Sequence, residues 1–279
     1  MEQASERALL IAQEIAQRTA TDHYRMILNE QRVPDATGSK IGGKPYWPVG
    51  MQYPVDMKGN KMLFVMQVNC EEAGFKSPLP ESGMLQWFIS MNTERMYGCL
   101  GNYNEDGSGF AIVYHDRIGE CGTLTEVPTH DSIDDDMLSP VKREVAIDIV
   151  PESTIMGVSD GRFNRLFFDI VKEITGISHT DKQWYQYLDN SDCLYFERQV
   201  GMKRPCHQVL GFPVYTQDEA RRDIQKHDTL LFQLDSQFSS DDNKELVMWG
   251  DMGSGYIFIN NQDLIARDFS QAYYCWDCG

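Results

Sequence analysis

Ala8, Ile11, Ala12 and Ile15 recur at helical spacing and predict a helix over 3–19, with Ser5 as its N-cap. Ala8, not Glu, holds the capping-box position. Tyr24, Met26, Ile27 and Leu28 predict a second helical piece over 21–30, and the polar run 31–40 with Pro34 and Gly38 reads as a loop. Ile41-Gly-Gly-Lys-Pro-Tyr-Trp-Pro48 is too rich in Gly and Pro for a helix and predicts an extended, turned segment. Apolar runs at 62–70, 84–91, 110–115 and 145–150 predict strands; the first is apolar on both faces and so buried. Residues 119–143 hold little pattern. Phe163, Leu166, Phe167, Ile170, Val171 and Ile174 share one face of a helix over 162–175, and 182–188 reads as a further helical piece.

The pattern then repeats. Gly43, Pro45 and Trp47 answer Gly211, Pro213 and Tyr215. Phe64-Val-Met-Gln-Val-Asn69 answers Leu230-Leu-Phe-Gln-Leu-Asp235, and Gly83–Ile89 answers Gly253–Ile259. The spacing is 168, 166 and 170 residues, a drift that loop-length variation explains. An amphipathic helix is expected over 217–226, a short helix near 263–267 and a strand in AYYCWDC. The expected fold is α+β: mostly antiparallel sheet in two pseudo-symmetric halves from an internal duplication, with flanking helices. A helical segment over 1–40 would precede one domain over 41–279, its halves about 41–150 and 151–279.

Composition changes the picture in one respect. The 279-residue chain carries a net charge of −17, which disfavours nucleic acid and anionic membrane surfaces and favours a basic protein partner or a cation. The acidic opening and the short apolar run 8–12 do not read as a signal peptide, so a cytoplasmic protein is expected, with its seven cysteines as free thiols.

The segments IGGKPYWP, MLFVMQVNCEE, LPESGMLQWFI, LLFQLDS, WGDMGSGYIFI and DLIARDFS resemble the YwqG-like proteins of bacteria, over roughly residues 40–278. The resemblance implies a compact, mostly β fold with internal pseudo-symmetry and no assigned activity. A role as an immunity protein is one implication; no catalytic residue carries over.

Candidate chemistry is sparse. Alternation puts Gln67 with Asn69, and Gln233 with Asp235, on one strand face, opposite Phe64, Met66 and Val68 in the first half and Phe232 and Leu234 in the second. Such symmetric polar pairs either line a ligand groove between the halves or satisfy backbone groups in each half. Trp249-Gly-Asp-Met-Gly-Ser-Gly255 either cradles an anion, with Trp249 and Asp251, or simply turns the chain, with Asp251 as a cap. Cys275 and Cys278 have metal spacing, but a zinc site needs two more ligands, and Cys206 and His207 are the nearest in sequence. Buried thiols are the plainer reading, and no metal or cofactor is expected. Asp134, Asp135, Asp136, Asp241 and Asp242 form the acidic surface proposed to meet a basic partner. The leading expectation is a non-enzymatic binding or regulatory protein; the alternative is a small-molecule binder or enzyme using a cleft between the halves.

Overall fold

The computed structural model describes residues 5–99, 108–133, 137–200 and 206–279. Helix α1 (Glu6–Thr19) starts where the sequence places it: the Ala8 N–H donates to Ser5 Oγ at 3.2 Å, and Ala8, Ile11, Ala12 and Ile15 are buried.

The next element corrects an expectation. Residues 21–29 are not helical but form strand β1 (Thr21–Asn29). Tyr24, Met26 and Leu28 are buried while Arg25 and Ile27 face outward, a period of two. An apolar run this short suits either period, and the neighbours decide. β1 pairs along its whole length with β6 (Val145–Thr154) and on its other side with β7 (Gln208–Leu210).

These strands lie in a ten-stranded sheet, antiparallel throughout, of order β12-β11-β8-β7-β1-β6-β2-β3-β4-β5. The others are β2 (Lys40–Ile41), β3 (Leu63–Asn69), β4 (Met84–Ile89), β5 (Phe110–His115), β8 (Thr229–Asp235), β11 (Ser254–Ile259) and β12 (Tyr273–Asp277). A separate two-stranded ribbon joins β9 (Gln237–Phe238) to β10 (Glu245–Val247).

The order reads outward in parallel from the β1–β6 centre: β2, β3, β4, β5 on one side and β7, β8, β11, β12 on the other. Local detail matches too. A bulge interrupts β3 against β4 between Phe64 and Met66, and another interrupts β8 against β11 where Leu230 pairs with Phe258 and Phe232 with Ile257. Gly42 and Gly43 have φ of 63° and 69°; Leu210 and Gly211, at the same place in the other half, have 62° and 80°. A leucine in this left-handed region is strained, so the loop, not the residue, dictates the conformation.

The bulge corrects a second expectation. Val65 is the extra residue, so Phe64 shares the outer face with Gln67 instead of opposing it.

The sheet curls until its outer strands nearly meet. Inside, Trp87 of β4 stacks on Trp249 at 5.5 Å, and Phe110 of β5 lies 5.5 Å from Tyr274 of β12. Smaller aromatic clusters cover the outer faces: Trp47, Tyr53, Phe64 and Phe88 in one half, Tyr215, Tyr256, Phe258 and Tyr273 in the other.

A helical layer of α1, α3 (Phe163–Thr175), α4 (Trp184–Tyr187) and α5 (Asn190–Val200) packs around Ile11, Ile15, Phe163, Phe167, Ile170 and Phe196. The short helices α2 (Cys70–Ala73) and α6 (Asn261–Ala266) follow β3 and β11. Residues 217–226 are turns, not the expected helix. Arg221 is drawn into the interior there, beside Asp160 and Glu219, and the chain follows that buried cluster instead of a helical stripe.

Candidate functional site

Each half holds a buried line of amides on the outer sheet face. In the first, Gln67 Oε1 accepts from the Tyr46 N–H at 2.7 Å and from Gln86 Nε2 at 3.3 Å, and Gln67 Nε2 donates to Ala36 O and Gly38 O. Gln86 Nε2 also donates to Tyr46 O at 2.7 Å. Its Oε1 therefore accepts from His115 Nε2 at 3.0 Å. Asn69 stands at the end of the line and caps α2: its side-chain oxygen accepts the Glu72 N–H, and its amide donates to Thr37 O.

The second half places Gln233 as the first places Gln67, with a carboxylate at the end of the line, but its amide partner Gln208 comes from β7, while Tyr256 of β11 holds the place that Gln86 has in the first half. Gln233 Oε1 accepts from the Val214 N–H at 3.0 Å and from Gln208 Nε2 at 3.2 Å. Gln233 Nε2 donates to Val214 O and to Asp235 Oδ1 at 2.8 Å. Asp235 also accepts from the Ser254 hydroxyl and the Cys206 N–H, both at 2.6 Å. Gln208 Oε1 meets His23 Nδ1 at 3.0 Å, so that nitrogen carries the proton. His207 Nδ1 accepts the Asp235 N–H, which leaves Nε2 to donate to Gln237 Oε1 at 2.7 Å. Burial holds His23, His115 and His207 below the ordinary imidazole range, which keeps these rings neutral.

Gln67 and Gln233 thus sit on separate strands in separate halves, fully buried, and bond mainly to loop backbone. None of Gln67, Asn69, Gln233, Asp235, Trp249 or Asp251 lines the surface recess of about 220 Å³ at Asp56, Ser90, Asn92 and Glu94, or the one of about 450 Å³ at Lys142, Phe238 and Lys244. Trp249 is buried against Trp87, Tyr97 and Tyr274. The ring atoms of Trp249 press on Gly255, where a Cβ would fall 2.4 Å from them. The sequence therefore demands glycine there for packing. Asp251 is exposed, and its carbonyl accepts the Gly279 N–H.

Sequence reasoning missed Gln86, Gln208, Ser254 and Asp277. Asp277 Oδ2 accepts the N–H groups of Thr216 and Gln217, and Oδ1 accepts the Tyr256 hydroxyl. Their signal was present in the period-two pairing of polar residues across adjacent strands. Pairing partners are invisible until the register is known. Among the described residues, the indole N–H groups of Trp87, Trp249 and Trp276, all buried, meet no acceptor, a feature no pattern announces.

Cys275 and Cys278 do not converge. Cys275 lies in the outer cluster with Tyr256 and Tyr273, and burial pushes its thiol well up; Cys278 packs against the interior core. Cys206 and His207 are engaged with Asp235. Among the described residues no group of three or more His, Cys, Asp or Glu is placed to hold a metal ion. Asp134, Asp135 and Asp136 lie outside the described residues. Asp241 accepts from Gln31 Nε2 at 3.1 Å. Asp242 pairs with Arg143 at 2.6 Å, which holds its carboxyl down at about 2.

A curled antiparallel sheet and the lines of amides span most of the chain, and one family model spans nearly the same stretch. Residues 39–278 match the model described as Domain of unknown function (DUF1963). The chain belongs to this family. The match takes in nine of the ten sheet strands from β2 onward, while α1 and the central strand β1 precede it. Among curated proteins nothing matches. No helix among the described residues is long and apolar enough to cross a membrane.

Proposed function

We propose that this chain is a non-catalytic, YwqG-like binding protein of the cytoplasm that neutralises or regulates a basic protein, in an immunity or similar protective role. The observation that carries this reading is where the charge sits. The net charge is −17. Asp160 and Glu219 meet Arg162 and Arg221, and Lys40 meets Glu144, while the buried carboxylates of Asp56, Asp192, Asp235 and Asp277 are held by N–H and hydroxyl donors. Four such carboxylates leave most of the excess negative charge outside the core, where it attracts cations at long range and speeds encounter. The buried amides support the same reading. Their hydrogen bonds go to loop backbone and to each other, which suits a rigid scaffold better than a ligand site between halves.

The matched strand order, bulges, left-handed turns and the equivalent places of Gln67 and Gln233 support an origin of the two halves by internal duplication.

The test is binding of a panel of small basic, neutral and acidic proteins by calorimetry across a salt series. Selective binding of basic proteins, weakening as salt rises, is the expected result. Salt-independent binding, or equal affinity for neutral proteins, overturns it.

A further inference from the structure

The two edges of the sheet differ. Every residue of β12 is buried. In β5, Phe110 to Tyr114 are half-exposed on both faces, and only His115 is buried. β5 pairs with β4 without a bulge, from Ile89–Phe110 to Met84–His115. One step beyond, the Ser90 N–H donates to Gly109 O at 2.9 Å, so these two form a hydrogen-bonded pair. Strict alternation in an antiparallel ladder then aims the backbone of Ala111, Val113 and His115 at β4. It aims the N–H and C=O groups of Phe110, Ile112 and Tyr114 away from the sheet. Among the described residues those outward groups have no hydrogen-bond partner.

Proteins guard such an edge with proline, lysine, a bulge, an inward charge or a covering segment. Phe-Ala-Ile-Val-Tyr-His has none of the first four. Among the described residues, Phe269 lies 5.7 Å from the Tyr114 ring at one end, and Tyr274 of β12 lies 5.5 Å from the Phe110 ring at the other. The Tyr114 end is acidic. Tyr114 hydroxyl donates to Ser82 O, Ser82 hydroxyl to Asp116 O, and Asp268 precedes Phe269. Glu81, Asp116 and Asp268 are exposed there, with Arg117 and Arg267 as the neighbouring bases, the Arg267 guanidinium donating to the carbonyls of Pro78, Leu79 and Leu264.

We propose that the free edge of β5 docks an extended, lysine- or arginine-bearing segment of a partner protein, which adds a strand through main-chain hydrogen bonds to Phe110, Ile112 and Tyr114. This rests on the basic-partner reading above and names the surface that serves it. A second copy of the chain is the disfavoured occupant, because it brings a further charge of −17 to an edge already rimmed with carboxylates. A basic segment meets complementary charge there and satisfies the open backbone groups.

The experiment uses the full chain and three short peptides: alternating Lys and Val, the same peptide N-methylated at every second residue, and alternating Thr and Val. Binding is read by fluorescence anisotropy, and the edge by amide hydrogen exchange. The Lys-Val peptide is expected to slow exchange at Phe110, Ile112 and Tyr114 by on the order of tenfold or more. The N-methylated peptide should leave them unprotected. Ile112→Pro removes an outward donor and should abolish binding. If that variant fails to fold, Ala111→Lys should weaken the Lys-Val peptide where Ala111→Glu does not. Binding of the Lys-Val peptide with these amides unprotected overturns the edge assignment and leaves the basic-partner reading standing. Equal, salt-insensitive protection by the Thr-Val peptide overturns the basic occupant and with it the basic-partner reading, while the edge itself stands. Protection without peptide, together with a dimer in sedimentation, overturns it in favour of a second copy.

Discussion

His23, His115, His130, His207 and His227 are all pushed below the ordinary imidazole range, in each case chiefly by burial. Between the lowered native values and about 6.5, the unfolded chain binds more protons than the native one. Stability therefore rises with pH through that window and is lost on acidification. The melting temperature should fall as pH drops from about 7.5 to about 5.5. His115→Gln keeps a donor for Gln86 Oε1 and cannot titrate, so it should flatten the slope; an unchanged slope would count against a neutral His115. A second residue-scale device is the cluster of Arg221 with Asp160 and Glu219, the Arg221 guanidinium also lying 5.0 Å from the Phe258 ring. Arg221→Met strands buried carboxylates and should cost about 3 kcal/mol in urea unfolding. A loss indistinguishable from zero would mean that the cluster is dispensable. None of this was legible in the run 217–226, because the partner Asp160 lies far away in sequence.

At the scale of the element, the paired bulges and amide lines make a sharper claim. Gln67→Ala leaves the Tyr46 N–H and two loop carbonyls without their partner, and Gln233→Ala does the same to the Val214 backbone. Each should destabilise by about 1–3 kcal/mol. The two lines share no member, so the double variant should lose the sum to within about 0.5 kcal/mol. Marked non-additivity in chemical denaturation would show that the halves are coupled through these amides. The strands bearing Gln67 and Gln233 were readable because their apolar runs are bounded by turn residues. The face of Phe64 was not, since one extra residue at Val65 inverts the alternation on one side of the bulge.

For the whole molecule, β1 is the hinge of the design. It joins β6 to β7, and so joins the two sides of the sheet. The Met26 N–H donates to His207 O at 2.9 Å. Met26→Pro removes this donor in the middle of the sheet and should abolish cooperative thermal unfolding. Val33→Pro, at a loop position 86% exposed, should melt as the parent does. A cooperative Met26→Pro variant would mean that the sides of the sheet fold without their central strand. β1 lies before residues 39–278, which the family model matches, and takes its central place through its pairing with β6 and β7.

The sequence by itself determined most local elements. Ser5 and its stripe set α1, Phe163 to Val171 set α3, and the runs at 63–69, 84–89, 110–115, 229–235 and 254–259 set their strands. It also determined the matched order of motifs and the excess of negative charge, because period, composition and turn residues are written in consecutive positions. Tertiary structure alone decided three things. It made 21–29 a strand, since a nine-residue run obeys whichever period its neighbours can pair with. It assigned the amides to loop backbone instead of a shared cleft, since register and bulges choose what each amide meets. It left β5 as the open edge, since which strand ends a sheet depends on how far the sheet curls before its own side chains fill the interior.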